Sequence, residues 1–370
     1  MKLLVLGGTR FLGRHLVDAA LARDHEVTVF TRGVQPVPWG SKVEHLVGNR
    51  DPRIAPGLAA LEKSEWDAAI DLSGYVPRCV RASAEMLEGR VAHCTFVSSL
   101  SVYADASRPG LDESAPVAVL EDPASEDIVA HYGALKARCE DEVRAVFGRR
   151  ALVVRPGLIV GPLDPTDRFA YWVARFACPE LTGERSESAV VPAPPNRAVQ
   201  FIDARDLASW MLDLAESAAE GTFDACAPAG TWTMGKLVDA LTKSARAAGR
   251  PTLAHWIDDE SLLRHGVTPW TELPLWIPAS DAESAGFMEF TCARAAARGL
   301  AVRPLGETID DTAAWLRARQ FHRLAQRPFG GEGTRDTRPC WCADKHAVVR
   351  RTRRAMMRRA AAQRNCTSPS

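Results

Sequence analysis

The chain has 370 residues, 46% of them apolar, and its 46 Lys and Arg are matched by 46 Asp and Glu. That length suits one large α/β domain or two smaller ones, and zero net charge provides no global attraction to nucleic acid or membrane. The balance is uneven: residues 319–370 hold 13 of the basic residues and 3 of the acidic ones, so an acidic body carries a basic tail.

Strands and helices are predicted to alternate from the first residues. Residues 3–7 form an apolar run ending on glycine, and 11–23 repeat apolar residues at helical spacing. Residues 26–31 read as a β-branched strand, and 68–72, 94–98 and 151–155 are further short apolar runs closed by turn signals. Continuous apolar runs suit strands buried on both faces of a parallel sheet. The expected fold is therefore α/β: a Rossmann-type doubly wound parallel sheet with a smaller C-terminal substrate-binding lobe. Residues 1–160 would mainly bind dinucleotide and 161–318 mainly form the lobe, with a strand at 198–203 and a helix at 206–216 returning to the core. A strand at 222–225 and helices at 234–248 and 305–319 follow. The basic tail, 319–370, reads as disordered or partly helical, with a basic Ala/Arg/Met run at 347–364.

No apolar run is long enough to span a membrane. The start, MKLLVLGGTRFLG, lacks the full apolar core and small-residue cleavage site of an export signal. The nine cysteines are scattered, so reduced thiols and a cytoplasmic protein are expected. Cys340 and Cys342 form one CxC without a matching second pair, and no metal site is expected.

Gly7, Gly8, Thr9, Arg10, Phe11, Leu12 and Gly13 lie between the first strand and the first helix. Chemistry wants glycine there because the turn is tight and backbone must approach a pyrophosphate on the helix N-terminus. The second strand ends on Thr31-Arg32 with no acid. An acid there would hold a ribose hydroxyl, whereas arginine suits a 2′-phosphate. Arg32, with Arg10 as a second guanidinium, favours NADP(H) over NAD(H).

Ser99 follows the strand at 94–98, and Tyr132 and Lys136 sit four apart on one helix face. A free phenol is a poor base near neutrality. A lysine cation about 4 Å away would favour the phenolate by on the order of 4 kcal/mol at an effective dielectric near 20. Tyr132 would then act as acid/base, Lys136 would also hold ribose hydroxyls, and Ser99 would hydrogen-bond the substrate oxygen.

GGTRFLG (7–13), DLSGY (71–75), SSLSVY (98–103), YGALK (132–136), RPGLIVGP (155–162) and QFIDARDLA (200–208) occur in order. Together they resemble the extended, atypical short-chain dehydrogenase/reductase family, the NAD-dependent epimerase/dehydratase group, over about residues 1–318. The resemblance implies that the 7–13 turn, Asn49, Leu72, Ser73, Gly74, Lys136 and Pro156 line the cofactor, and that Ser99, Tyr132 and Lys136 are the catalytic triad. Asn49 stands where many relatives carry an adenine-facing Asp. Asp203 and Asp206 match acids of a motif linking the lobes, with helix capping as their plainer role. Arg10 replaces the middle glycine of the usual turn. That variant resembles a subgroup including chloroplast stem-loop RNA-binding proteins.

Arg168, Tyr171, Trp172 and Arg197 are candidate substrate contacts, although core packing is the commoner role of such aromatics. The expected function is an NAD(P)-dependent oxidoreductase acting on a carbonyl or hydroxyl carbon of a small molecule, such as a sugar or secondary metabolite. A sugar epimerase working by transient oxidation is the alternative. Leu100 and Ser101 stand where a dehydratase would carry an acid pair. A non-catalytic nucleotide-sensing or RNA-binding protein is the alternative of another class, and the acidic body makes nucleic acid the weaker partner. A monomer or homodimer is expected.

Overall fold

In the computed structural model, which describes residues 1–178, 181 and 188–325, seven parallel strands make the central sheet. They are β1 (Lys2–Leu6), β2 (Glu26–Thr31), β3 (Val43–Val47), β4 (Trp66–Asp71), β5 (Val91–Val97), β6 (Ala151–Pro156) and β11 (Gly221–Ala225), in spatial order β3-β2-β1-β4-β5-β6-β11. The order reverses between β1 and β4, and the crevice beyond the carboxyl ends of those two strands is where this architecture binds ligands. The doubly wound reading therefore holds.

Helices cover both faces. α1 (Phe11–Ala22) and α5 (Ala204–Glu216) pack on one side, where Leu16, Val17, Leu207 and Met211 meet Leu3, Val5 and Val29. α2 (Pro77–Leu87) and α3 (Ile128–Phe147) close the other, with Val80, Leu87, Cys139 and Val143 against Leu4, Ala69 and Phe96. Every residue of β6 is buried, which explains why ALVVRP reads as an unbroken run.

A separate core forms the second lobe. It joins α4 (Arg168–Ala177), α6 (Met234–Ala247) and α9 (Leu305–Ala325) with the parallel pair β8 (Ser188–Pro192) and β13 (Leu253–Ile257). Two-residue strands bridge the lobes: β7 (Ile159–Val160) pairs with β10 (Ile202–Asp203), and β9 (Ala198–Val199) with β12 (Trp232–Thr233). The expected single strand at 198–203 is thus split into β9 and β10. Gln200 causes the break, since its buried side chain bonds Ala227 O, Phe290 O and Phe290 N across the loops. α7 (Asp259–Arg264) and α8 (Ala293–Ala297) complete the elements. Residues 326–370, with the Cys340/Cys342 pair and the 347–364 run, lie outside the described residues. Among the described residues no helix is long and apolar enough to cross a membrane, and no His/Cys/Asp/Glu group could hold a metal.

Candidate active site

The glycine turn takes the shape its residues demand. Gly7 and Gly8 adopt φ of 110° and 92°, a region side-chain-bearing residues avoid. A Cβ on Gly13 would lie 2.5 Å from Gly8 Cα, so only glycine lets α1 start directly against the turn. α1 begins at Arg10 with no side-chain cap and no acid in its first turn. Its leading N–H groups and dipole are therefore left for an anion, and the turn fits a dinucleotide pyrophosphate. Gly7 faces Leu72 and Ser73 across the switch point, with Cβ separations of 3.5 and 3.6 Å for an added methyl.

Arg10 and Arg32 are both exposed, and neither engages a carboxylate among the described residues. Arg32 follows a turn in which Thr31 Oγ1 meets His45 Nε2 at 2.8 Å and accepts from Gly33 N at 3.1 Å. Asn49 Oδ1 accepts from Asp51 N at 3.0 Å. The neighbouring Arg50 was not singled out from sequence. Its guanidinium grips both Asp71 oxygens at 2.7 and 2.6 Å and also reaches Ser73 and Ser83 hydroxyls. Burial alone would raise the Asp71 carboxyl, but Arg50 outweighs it and the pKa is lowered. This pair pins the Leu72–Ser73–Gly74 loop beside the glycine turn. The sequence signal was an acid closing the apolar run of β4, since a buried carboxylate demands a partner.

Ser99 ends β5 and its Oγ accepts from Ser101 N, capping a single 3₁₀ turn, Leu100–Val102. α3 is capped by Asp127, which accepts from Val129 N and Ala130 N, and it kinks at His131. A Cβ on Gly133 would sit 2.0 Å from Ser101 O. Glycine next to Tyr132 therefore brings the helix backbone onto the serine turn, which sets the Tyr132 hydroxyl near the Ser99 side chain.

Lys136 does not act on Tyr132 as the helix spacing suggested. Its Nζ donates to Gly74 O at 2.6 Å and Val97 O at 2.7 Å, and lies 4.2 Å from the Phe96 ring centroid. Burial lowers its pKa to about 8. Tyr132 is pushed above the usual phenol value by burial, while the nearby Ser99 side chain and the charge of Arg168 pull it down. Sharing a helix face gave the pair proximity, but the carbonyls at the ends of β5 and the 72–74 loop claimed the ammonium.

Beneath this set lies a buried network. Arg155 forks onto Glu140 at 2.9 and 2.7 Å and donates to Tyr103 Oη at 3.0 Å; Tyr103 in turn donates to Asp224 at 2.7 and 2.6 Å. Glu140 lies one turn beyond Lys136, Tyr103 closes the serine turn, and Arg155 precedes Pro156. Three elements carrying candidate residues are thus tied together. Burial, with Glu113 nearby, pushes Asp224 up to about 7. The folded state therefore binds a proton the unfolded chain has released, so this group costs stability as pH rises from about 4 through about 7. Asp224→Asn removes that cost. Thermal unfolding should show a gain of about 1.5 kcal/mol near pH 5 that grows to as much as about 4 kcal/mol near pH 8; an equal effect at both pH values would contradict the assignment.

The lobe residues divide. Arg168, at the head of α4, is partly buried, stacks on Trp270 at 5.6 Å and donates to Thr166 Oγ1 at 3.1 Å. Trp172 is fully buried and spends its indole N–H on Pro274 O, so it is core and presents no face to a ligand. Tyr171 is partly buried edge-on to it. Arg197 is tied to Asp259, Ala193 O and Ile277 O; that clamp holds the lobe's own loops, which is a structural role. Asp203 caps α5 and binds Arg205 and Thr308, and Asp206 receives Arg303. A cleft of about 630 Å3 at the opposite, amino-terminal edge, lined by Lys2, Thr28, Glu44 and Trp66 among others, shares none of these residues.

The chain belongs to the NAD dependent epimerase/dehydratase family, whose model matches residues 3–225. The Arabidopsis thaliana chloroplast stem-loop binding protein of 41 kDa b is 28% identical over 177 residues, 44% of this chain and 43% of that relative. The chain thus matches less than half the length of that relative. Among solved structures, the Bordetella bronchiseptica enzyme WbmH in complex with NAD+ superposes with a TM-score of 0.59 at 13% identity, covering 85% of this chain and 98% of that one. The human epimerase family protein SDR39U1 (isoform 2) with NADPH gives 0.54 at 18%, covering 85% and 99%. At such identities the likeness establishes the shared fold.

Proposed function

We propose that this chain is an NADP(H)-dependent oxidoreductase acting on a carbonyl or hydroxyl carbon of a small molecule, with residues 1–160 mainly binding cofactor and 161–318 mainly binding substrate. The observation that carries this reading is the close approach of the helix bearing Tyr132 to the Ser99 turn at the carboxyl end of β5, beside an uncapped glycine turn. When bound, the nicotinamide supplies or accepts the hydride. Gly7, Gly8, Thr9, Phe11, Leu12 and Gly13 would cradle its pyrophosphate, Leu72, Ser73, Gly74 and Pro156 would border it, and Asn49 would face the base. Ser99 orients the reacting oxygen and Tyr132 gives or takes its proton. Lys136, held by two carbonyls, keeps one ammonium hydrogen as a donor for ribose hydroxyls.

The test is mass spectrometry of the cofactor that co-purifies, together with affinities for both cofactors. Arg10 and Arg32 support the phosphate-bearing form. Arg32→Asp should weaken NADPH about tenfold or more, in line with a charge-assisted bond of roughly 1.5–3 kcal/mol, and should improve NADH; unchanged NADPH affinity would remove Arg32 from the site.

The names of the structural neighbours favour a second reading, epimerisation by transient oxidation. Deuterium at the hydride position of NADPH separates the two, because reduction deposits label in product while transient oxidation leaves the cofactor pool unconsumed. The stem-loop-binding relative keeps a binding role in view, and Tyr132→Phe would leave such a role intact.

A further inference from the structure

We propose that Arg168 is an oxyanion-binding residue of the candidate active site, receiving a carboxylate or phosphate that the substrate carries near the carbon served by Tyr132. The inference rests on the reading of Tyr132 given above and adds the class of substrate. Arg168 opens α4, whose N-cap, Asp167, provides no side-chain cap and whose first turn has no acid. The guanidinium is partly buried and lies over the Trp270 ring at 5.6 Å. Its Nε donates to Thr166 Oγ1 at 3.1 Å. Among the described residues it makes no salt bridge, whereas the guanidinia of Arg50 and Arg155 are each forked onto a carboxylate.

A half-desolvated guanidinium held by one hydroxyl and one ring face leaves its terminal nitrogens for a ligand. Their fixed fork matches a carboxylate or phosphate edge. Asp164, the acid whose charge acts on Arg168, is fully buried; its Oδ1 is taken by Thr166 N and Oγ1, and its Oδ2 has no hydrogen-bond partner among the described residues, Arg168 included. Its carboxyl is raised by burial, which reduces its ability to neutralise Arg168. The charge of Arg168 acts to lower the Tyr132 phenol, and Tyr75, its ring 6.4 Å away, acts to raise it. An anion on Arg168 would therefore be held within electrostatic reach of the acid/base, and a neutral substrate would leave the cation uncompensated.

The coupling supplies a test that needs no substrate. The chain has four tyrosines, so the phenolate absorbance of Tyr132 can be isolated as the difference between the parent protein and Tyr132→Phe. Arg168→Gln should raise the Tyr132 titration midpoint by about 0.5–1 pH unit, since a favourable cation is lost. At constant ionic strength set with sodium chloride, malonate and inorganic phosphate should each raise the midpoint of the parent protein and leave Arg168→Gln unmoved. A response to malonate alone assigns a carboxylate, and to phosphate alone a phosphate. Arg168→Lys, which keeps charge but not the fork, should retain the parent midpoint with a weaker anion response. A parent midpoint indifferent to both anions overturns the proposal, as does an equal anion response in Arg168→Gln. NADP+ titrated into the same samples reads the cofactor assignment separately: its failure to bind would sink the oxidoreductase reading without touching the anion result.

Discussion

Tyr132→Phe is expected to lower turnover by about 10²–10⁴-fold, the range for loss of a positioned acid or base, with cofactor affinity changed by less than about twofold. Phenylalanine keeps the ring that packs 6.4 Å from Tyr75 and removes only the hydroxyl beside Ser99. The cofactor contacts proposed for the glycine turn and Lys136 do not involve that hydroxyl. Two measurements check this: NADPH oxidation over a panel of carbonyl compounds, and NADPH binding by fluorescence. Undiminished turnover on a reduced carbonyl would exclude Tyr132 as the proton donor. Because the phenol is raised by burial in the protein alone, it is protonated near neutrality. It is then poised to donate, which suits carbonyl reduction. Oxidation would require the phenolate, and its rate should climb with pH until the hydroxyl titrates.

The parallel sheet was legible because buried strands are written as continuous apolar runs. Glu26–Thr31 appears with its expected bounds, and β1, β4, β5 and β6 lie within a few residues of theirs. β3 and α2 were not anticipated. Val43–Val47 is an edge strand in which only Val43 is buried, and Pro77–Leu87 mixes arginine and alanine with few large apolar residues. The glycine turn and the Ser99/Tyr132 meeting were readable for a different reason. Both depend on local spacing and on glycines, Gly13 and Gly133, that permit close backbone approach. Charges were the opaque part. Arg50 and Glu140 drew no role from the sequence, and Arg155 only a place at the end of a strand, yet each is paired out of water by partners at least 15 positions away. Lys136 shows the same limit: periodicity placed it on the face of Tyr132, but the carbonyls it chose belong to other elements.

Arg155→Met should be the most damaging of the substitutions remote from solvent, costing about 3–5 kcal/mol. Arg155 is 4% exposed and Glu140 1% exposed, so methionine would fill much of the volume while stranding a carboxylate. Arg144 also reaches Glu140, at 3.0 Å, and would recover part of the loss. The cost should depend on pH in a definite sense. Burial works to raise the Glu140 carboxyl, and Arg155 more than offsets it, so its pKa is lowered in the folded protein. That contribution to stability is present above the unfolded carboxylate value and is lost as pH falls through the folded one. Without Arg155, burial is opposed chiefly by the half-exposed Arg144, and the folded-state pKa should rise above the unfolded value. The variant's deficit should then be largest near and above neutrality and shrink as pH falls toward about 5 and Glu140 takes up a proton. Chemical denaturation at several pH values measures this directly. A deficit independent of pH would mean that lost packing, and not the stranded charge, sets the cost. The Glu140→Gln/Arg155→Met double variant separates the two, since neutralising the carboxylate should restore stability near neutral pH and change little at low pH. The network spans the helix bearing Tyr132, the turn bearing Ser99 and the strand preceding Pro156. The single variant should therefore also loosen the alignment of those residues, seen as a fall in turnover at pH values where the protein is still fully folded.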